Sequence, residues 1–249
     1  MSDWPQGYGK RVLDEVDSTL NEAARIAPTL SGPEWIMARR QTAARGRRGR
    51  AWTQAQGNLA ATLVMRPVGE AKQAALRSFV AALALFDACV AVTGRAEGLA
   101  LKWPNDVLLN GGKLAGILLE STGHGSGVAH LAIGIGVNLA DAPGADAVEP
   151  GAVRPVSLVS ETGAQVEPEL FLTELAAAFA RYETQFLTYG FAPIRSAWLA
   201  RAARLGEVIT ARTATSQTVG TFETVDAEGN LVLNTAQGRV SIPAAEVYF

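Results

Sequence analysis

Between Leu99 and Val137 the chain reads as four apolar runs, LALKW, DVLLN, KLAGILLES and VAHLAIGIGV, parted by Pro-Asn-Asp, Asn-Gly-Gly and a Gly-rich stretch. Short runs rich in Leu, Ile and Val and bounded by turn residues are strands. Four in succession commit the middle of the chain to a β-sheet, and everything else must pack around it. Upstream, KRVLDEV, EWIMARR and NLAATLVM read as further strands. DSTLNEAARIA reads as a helix that Asp17, Ser18 or Thr19 can cap, with Thr19 and Glu22 at capping-box spacing.

Glu70 to about Val92 reads as one long helix, and two more follow at Pro168–Thr188 and Ala192–Arg204. The first of these two carries Phe171, Leu175, Phe179, Tyr182 and Phe186 at helical period, a core stripe. From Leu205 the texture changes to VITAR, GTFETV, LVLNT and RVSIP with turns such as EGN and AQG between them, as in a small barrel. The fold class is α+β: a mixed sheet packed by helices over residues 1–203, then a β-barrel over 204–249.

Hydrophobic residues make up 48% and charged residues 18%, a globular balance. The run from Phe79 to Val92 is broken by Asp87 and is too short for a membrane span, so it reads as a core helix. The N-terminus shows no apolar signal core, and a cytoplasmic enzyme is expected. Cys89, the one cysteine, lies within that apolar run and reads as a buried small hydrophobe. His124 and His130 flank HGSG and read as solvated loop and strand residues.

Six of the eighteen arginines fall between positions 39 and 50: Arg39, Arg40, Arg45, Arg47, Arg48 and Arg50. In RGRRGR, glycine lets the backbone approach a ligand and arginine offers a planar fork to phosphate or carboxylate. Packed like charges should keep the loop poorly ordered until an anion neutralises it. A solvated loop or a nucleic-acid contact is the competing reading. Against it, the net charge is −2, Trp52 is the only aromatic beside the loop, and no helix-turn-helix precedes it.

Lysine is scarce: Lys10, Lys72, Lys102 and Lys113 are the whole set. Two of them stand in KWPNDVLLNGGKLAGILLE. Lys102 ends an apolar strand, Trp103-Pro104-Asn105-Asp106 makes a bend, Asn110-Gly111-Gly112 a hairpin turn, and Gly116 interrupts the next strand, where a glycine often marks ligand approach. A phosphate-binding P-loop does not fit, because Leu114 follows the Gly-Lys pair. GIGVN is a weak dinucleotide signal.

ARGRRGRAW, KWPNDVLLNGGKLAGILLE and GIGVNL, in this order, resemble the biotin–protein ligase family. The resemblance covers nearly the whole chain, with LGEVITARTATSQTVGTFETVDAEGNLVLN similar to the family's SH3-like C-terminal barrel, and implies a catalytic domain of the class II aminoacyl-tRNA synthetase/biotin ligase type. It implies ATP with Mg2+ and biotin as substrates, with no metal-ligating residues in the chain. Biotinyl-5′-AMP is the implied intermediate, and the acceptor is a lysine of a carboxylase's biotin carboxyl carrier domain. No DNA or membrane partner is expected from this short form without the DNA-binding extension, and a weak homodimer is left open.

Carried over by position, the resemblance puts Ser18, Thr19 and Gln41 at biotin, Arg45 and Arg47 at biotin and the adenylate phosphate, Lys102 beside the biotin carboxylate and α-phosphate, Gly116 on the biotin pocket and Asn138 near adenine. Trp52 and Lys113 also match the motifs. Two positions depart from the pattern: Ala44 stands where glycine is usual, and Leu20 interrupts the usual Ser-Thr-Asn, leaving Asn21 one residue late. The rival on the same fold is a lipoate or octanoate ligase, which lacks this arginine loop.

Overall fold

The computed structural model describes residues 2–123, 127–144, 151–213 and 215–249. Seven strands form the main sheet: β1 (Gly9–Val16), β2 (Glu34–Gln41), β3 (Leu59–Met65), β4 (Leu99–Lys102), β5 (Asp106–Leu109), β6 (Gly112–Thr122) and β7 (His130–Val137). Their order is β1-β2-β3-β7-β6-β5-β4. Only β1 and β2 run parallel, with helix α1 (Thr19–Ile26) as their crossover, so the sheet is mixed. Asn110 and Gly111, both at positive φ, turn β5 into β6 as a two-residue hairpin requires.

Helices α3 (Arg77–Thr93), α5 (Pro168–Tyr189) and α6 (Phe191–Leu199) build the larger core. Trp35 of β2 meets Phe179 of α5 edge to face, with ring centroids 5.8 Å apart. Phe171, Leu175 and Phe179 are fully buried, as the stripe predicts, and Cys89 is buried with its thiol pushed up to about 12 by burial. Among the described residues one helical stretch, Ala71–Thr93, is long and apolar enough to cross a membrane, and most of it is buried inside the protein. On the opposite face α1 covers only part of the sheet, through Leu20, Ala23, Ile36, Val64 and Ala132. That partial cover leaves room for a cavity.

The second sheet holds β8 (Val208–Arg212), β9 (Gln217–Val225), β10 (Leu231–Thr235), β11 (Gly238–Ile242) and β12 (Glu246–Tyr248), all antiparallel, in the order β11-β10-β9-β8-β12. It fits the expected SH3-like barrel. The indole of Trp103 donates to the Gly229 carbonyl at 3.0 Å and ties this sheet to the bend after β4.

Several boundaries differ from the sequence reading. The long helix breaks at Leu76 into α2 (Ala71–Ala75) and α3. The last helix stops at Leu199, because Arg201 and Ala203 pair through their backbones with Leu101 instead. Ser18 is the N-cap of α1, and Thr19 is its first helical residue, so the Thr19–Glu22 capping box does not form. A capping box occurs at Ser157 and Ser160, which start the unforeseen α4 (Leu158–Thr162). The three-residue β12 was also unforeseen.

Candidate active site

Sheet register lines up one row of residues on the face that α1 leaves open. Ala60 of β3 faces Gly136 of β7, which faces Gly116 of β6, which faces Asp106 of β5, which faces Lys102 of β4. Three of the five have no side chain beyond Cβ, so the sheet has almost no relief there. A cavity of about 550 Å³ lies over this row. The Trp52 indole rests against it: a Cβ at Gly136 would stand 2.6 Å from Trp52 Cε2, and one at Gly116 would stand 3.2 Å from Cζ3. Position 136 therefore needs glycine for the indole to sit where it does, and at 116 a side chain would press the indole back by a few tenths of an ångström.

The neighbouring row, Thr62–Gly134–Leu118, forms the polar end. Leu20 packs on Gly134, and Thr62 Oγ1 donates to Thr19 Oγ1 at 2.8 Å. Thr19 donates through its backbone N–H and its hydroxyl to Gln41 Oε1, at 2.8 and 3.1 Å. Gln41 in turn donates to Gln54 Oε1. Uncharged donors and acceptors fixed by one another suit a neutral polar ring system.

The other end is cationic. Asp106 sits between two lysines, with Lys102 Nζ at 3.9 Å and Lys113 Nζ at 2.7 Å. Burial lowers the Lys102 ammonium, and Asp106 works against that shift. Arg47 is likewise lowered by burial, and it donates to Asn105 Oδ1 at 3.3 Å. Arg45 forms a two-pronged contact with Glu120, at 3.2 and 2.8 Å, and donates to Asn21 Oδ1 at 2.6 Å. Arg48 and Arg50 both reach Glu246, at 3.3 and 2.8 Å. Charge density predicts a loop that waits for an anion; here the chain's own carboxylates and amides hold it. Arg39 and Arg40, at the end of β2, pair outside the cavity with Glu169 and Glu15.

The structure brings all ten residues singled out by sequence to the cavity wall: Ser18, Thr19, Gln41, Arg45, Arg47, Trp52, Lys102, Lys113, Gly116 and Asn138. Asn138 is buried, and its side-chain oxygen has no hydrogen-bond partner among the described residues. The loop's positive φ angles fall at Arg48 and Gly49, not at Ala44, whose carbonyl accepts from the Trp52 N–H at 3.1 Å. Asn21, one residue late, reaches Arg45. His130 opens β7 away from the cavity; His124 lies outside the described residues.

Sequence reasoning missed Asp106, read only as a turn former, and the carboxylates Glu120 and Glu246. GIGVN, discounted as a dinucleotide signal, also supplies Gly134 and Gly136 to the cavity floor, a role sequence reasoning did not assign. Alternate glycines in a strand, facing Leu118 and Gly116 of the next, were the available signal.

Residues 9–138 match the biotin/lipoate A/B protein ligase family. The chain belongs to this family. Residues 205–249 match the biotin protein ligase C-terminal domain. A biotin–[acetyl-CoA-carboxylase] ligase of Paracoccus denitrificans is 62% identical, over 96% of this chain and 99% of its own length. The bifunctional ligase/repressor BirA of Bacillus spizizenii is 30% identical over 94% of this chain, which spans 72% of that relative. The biotin protein ligase of Aquifex aeolicus, solved with biotin and ATP, shares the fold with a TM-score of 0.80 at 24% identity, covering 96% of this chain and 97% of its own. For a member of this ligase family the cavity divides naturally. One end is neutral and polar, the other cationic, and among the described residues no Cys or His lines it.

Proposed function

We infer that the chain is a biotin–protein ligase, which activates biotin with ATP as biotinyl-5′-AMP and transfers the biotinyl group to a lysine of a carboxylase's biotin carrier domain. The near-full-length identity to the Paracoccus ligase carries this reading, and the two-ended cavity supports it. Residues 1–203 act as the catalytic domain and 204–249 as the C-terminal domain. The reading places the enzyme in the cytoplasm and needs no DNA or membrane partner.

In the first step the biotin carboxylate attacks the α-phosphorus of ATP and pyrophosphate leaves. Two unit charges ~4 Å apart repel by ~4 kcal/mol at an intermediate dielectric. Lys102, Arg45 and Arg47 offset that repulsion, and Lys113, lying against Gly116 and Trp52, adds a fourth cation. The bicyclic ring takes the neutral end, at Ser18, Thr19 and Gln41, and adenine the side of Asn138. Mg2+, carried on the ATP phosphates as the nucleotide's counter-ion, would offset part of their charge. In the second step the acceptor amine forms the amide, AMP departs and the nitrogen sheds a proton. The arginine loop, closed over the anhydride, keeps water out.

The test is transfer itself. Incubation with biotin, ATP, Mg2+ and a purified carrier domain should add one biotinyl group to one acceptor lysine, read by intact-mass spectrometry. A lipoyl adduct in a lipoate control, with no biotinyl adduct, would move the enzyme to the lipoate branch of the family.

A further inference from the structure

Glu246 belongs to β12, the last strand of the second sheet, yet it lines the cavity built on the first. Its carboxylate is only 16% exposed. It faces Arg50 at 2.8 Å and Arg48 at 3.3 Å and accepts from the Tyr248 hydroxyl at 2.8 Å. Burial pushes the carboxyl upward, but the Tyr248 hydroxyl and the two arginines outweigh it, and the group lies below the usual glutamate range. It is ionised at neutral pH. Its field also reaches Arg47 and Lys102. One carboxylate from the C-terminal domain thus offsets part of the positive charge at the cationic end of the cavity, the end that suits the polyphosphate of ATP. Two anions cannot share the same arginines without repulsion.

We propose that Glu246 is a positioning residue, an internal counter-anion that holds Arg48 and Arg50 in place before nucleotide binds and that the triphosphate displaces. This rests on the ATP-dependent reading above and deepens it: the C-terminal domain releases the loop only when a polyanion takes over its arginines. The exchange also sets nucleotide affinity, because part of the binding energy goes to displacing Glu246.

The probe is inorganic tripolyphosphate, which needs neither biotin nor chemistry. Calorimetry at ~0.1 M salt should show Glu246→Gln binding it about tenfold more tightly than the unaltered chain, as expected for one like charge removed beside a polyanion. Trypsin should cut the ligand-free variant several-fold faster within residues 45–50, and tripolyphosphate should restore protection. Mere damage to β12 would weaken binding instead, so tightening separates the two. Tyr248→Phe keeps the charge and removes one hydrogen bond. It should shift both readouts the same way by less. Weaker or unchanged tripolyphosphate binding in Glu246→Gln, or an unchanged cleavage rate, would overturn the proposal. If the chain fails to bind biotin while these shifts occur, the ligase reading fails and the counter-anion role stands.

Discussion

Lys102→Ala should slow adenylate formation by about 10²–10³-fold, the usual cost of removing one preorganised group that meets developing charge. The side chain is 10% exposed and its ammonium lies between Asp106 and the ring of Phe249, 5.5 Å away. Water cannot easily replace it. Truncation also leaves Asp106 with Lys113 alone, so a carboxylate that was shared now repels the incoming phosphate. Lys113→Ala should cost a similar amount for the same reason, and the double variant less than the sum, because both act through Asp106. ATP–pyrophosphate exchange measures this step without the acceptor.

The same experiment carries a pH signature. Burial lowers Lys102 below the ordinary lysine value of about 10.4. The charged form is the useful one. The exchange rate should therefore fall as pH rises, with a midpoint below that value. Lys102→Arg, charged throughout, should lose this alkaline limb. A normal exchange rate in Lys102→Ala would remove the lysine from the mechanism.

The second large effect concerns stability. Arg77 at the start of α3 and Glu183 on α5 pair at 2.7 Å and are almost fully buried, at 1% and 3% exposure. The Arg77 guanidinium also lies 5.1 Å from the Phe186 ring. Glu183→Ala would strand a buried cation and should cost about 3–5 kcal/mol. For a chain of this size that lowers the melting temperature by roughly 6–20 °C. Replacing both partners with Met and Leu should cost far less, because no charge is left unpaired. Thermal unfolding of the single and double variants decides it; equal losses in both would show that packing, not charge, sets the penalty.

The strands around the site were legible because each carries its own pattern. β3, β6 and β7 are apolar runs bounded by turn residues, and Asn110-Gly111 specifies its hairpin locally. The stripe of α5 predicts which residues are buried. What escaped depends on partners far along the chain. Glu-Val-Tyr at 246–248 is no strand on its own; it becomes β12 by pairing with β8. Glu246 acquires its role from arginines nearly two hundred positions away. Asp106 sits inside a motif the sequence made visible, but only the register Lys102–Asp106–Gly116 shows that it is held between two lysines. The end of α6 follows from a tertiary contact, the backbone pairing of Leu101 with Arg201 and Ala203, which helix propensity does not register.

Calorimetry of biotin binding, first without and then with ATP and Mg2+, with lipoate as the control, tests the central claim most directly. The ligase account predicts that biotin binds alone, that the complex tightens greatly once ATP allows biotinyl-5′-AMP to form, and that lipoate gives no heat. Absence of biotin binding, or lipoate binding in its place, would contradict it.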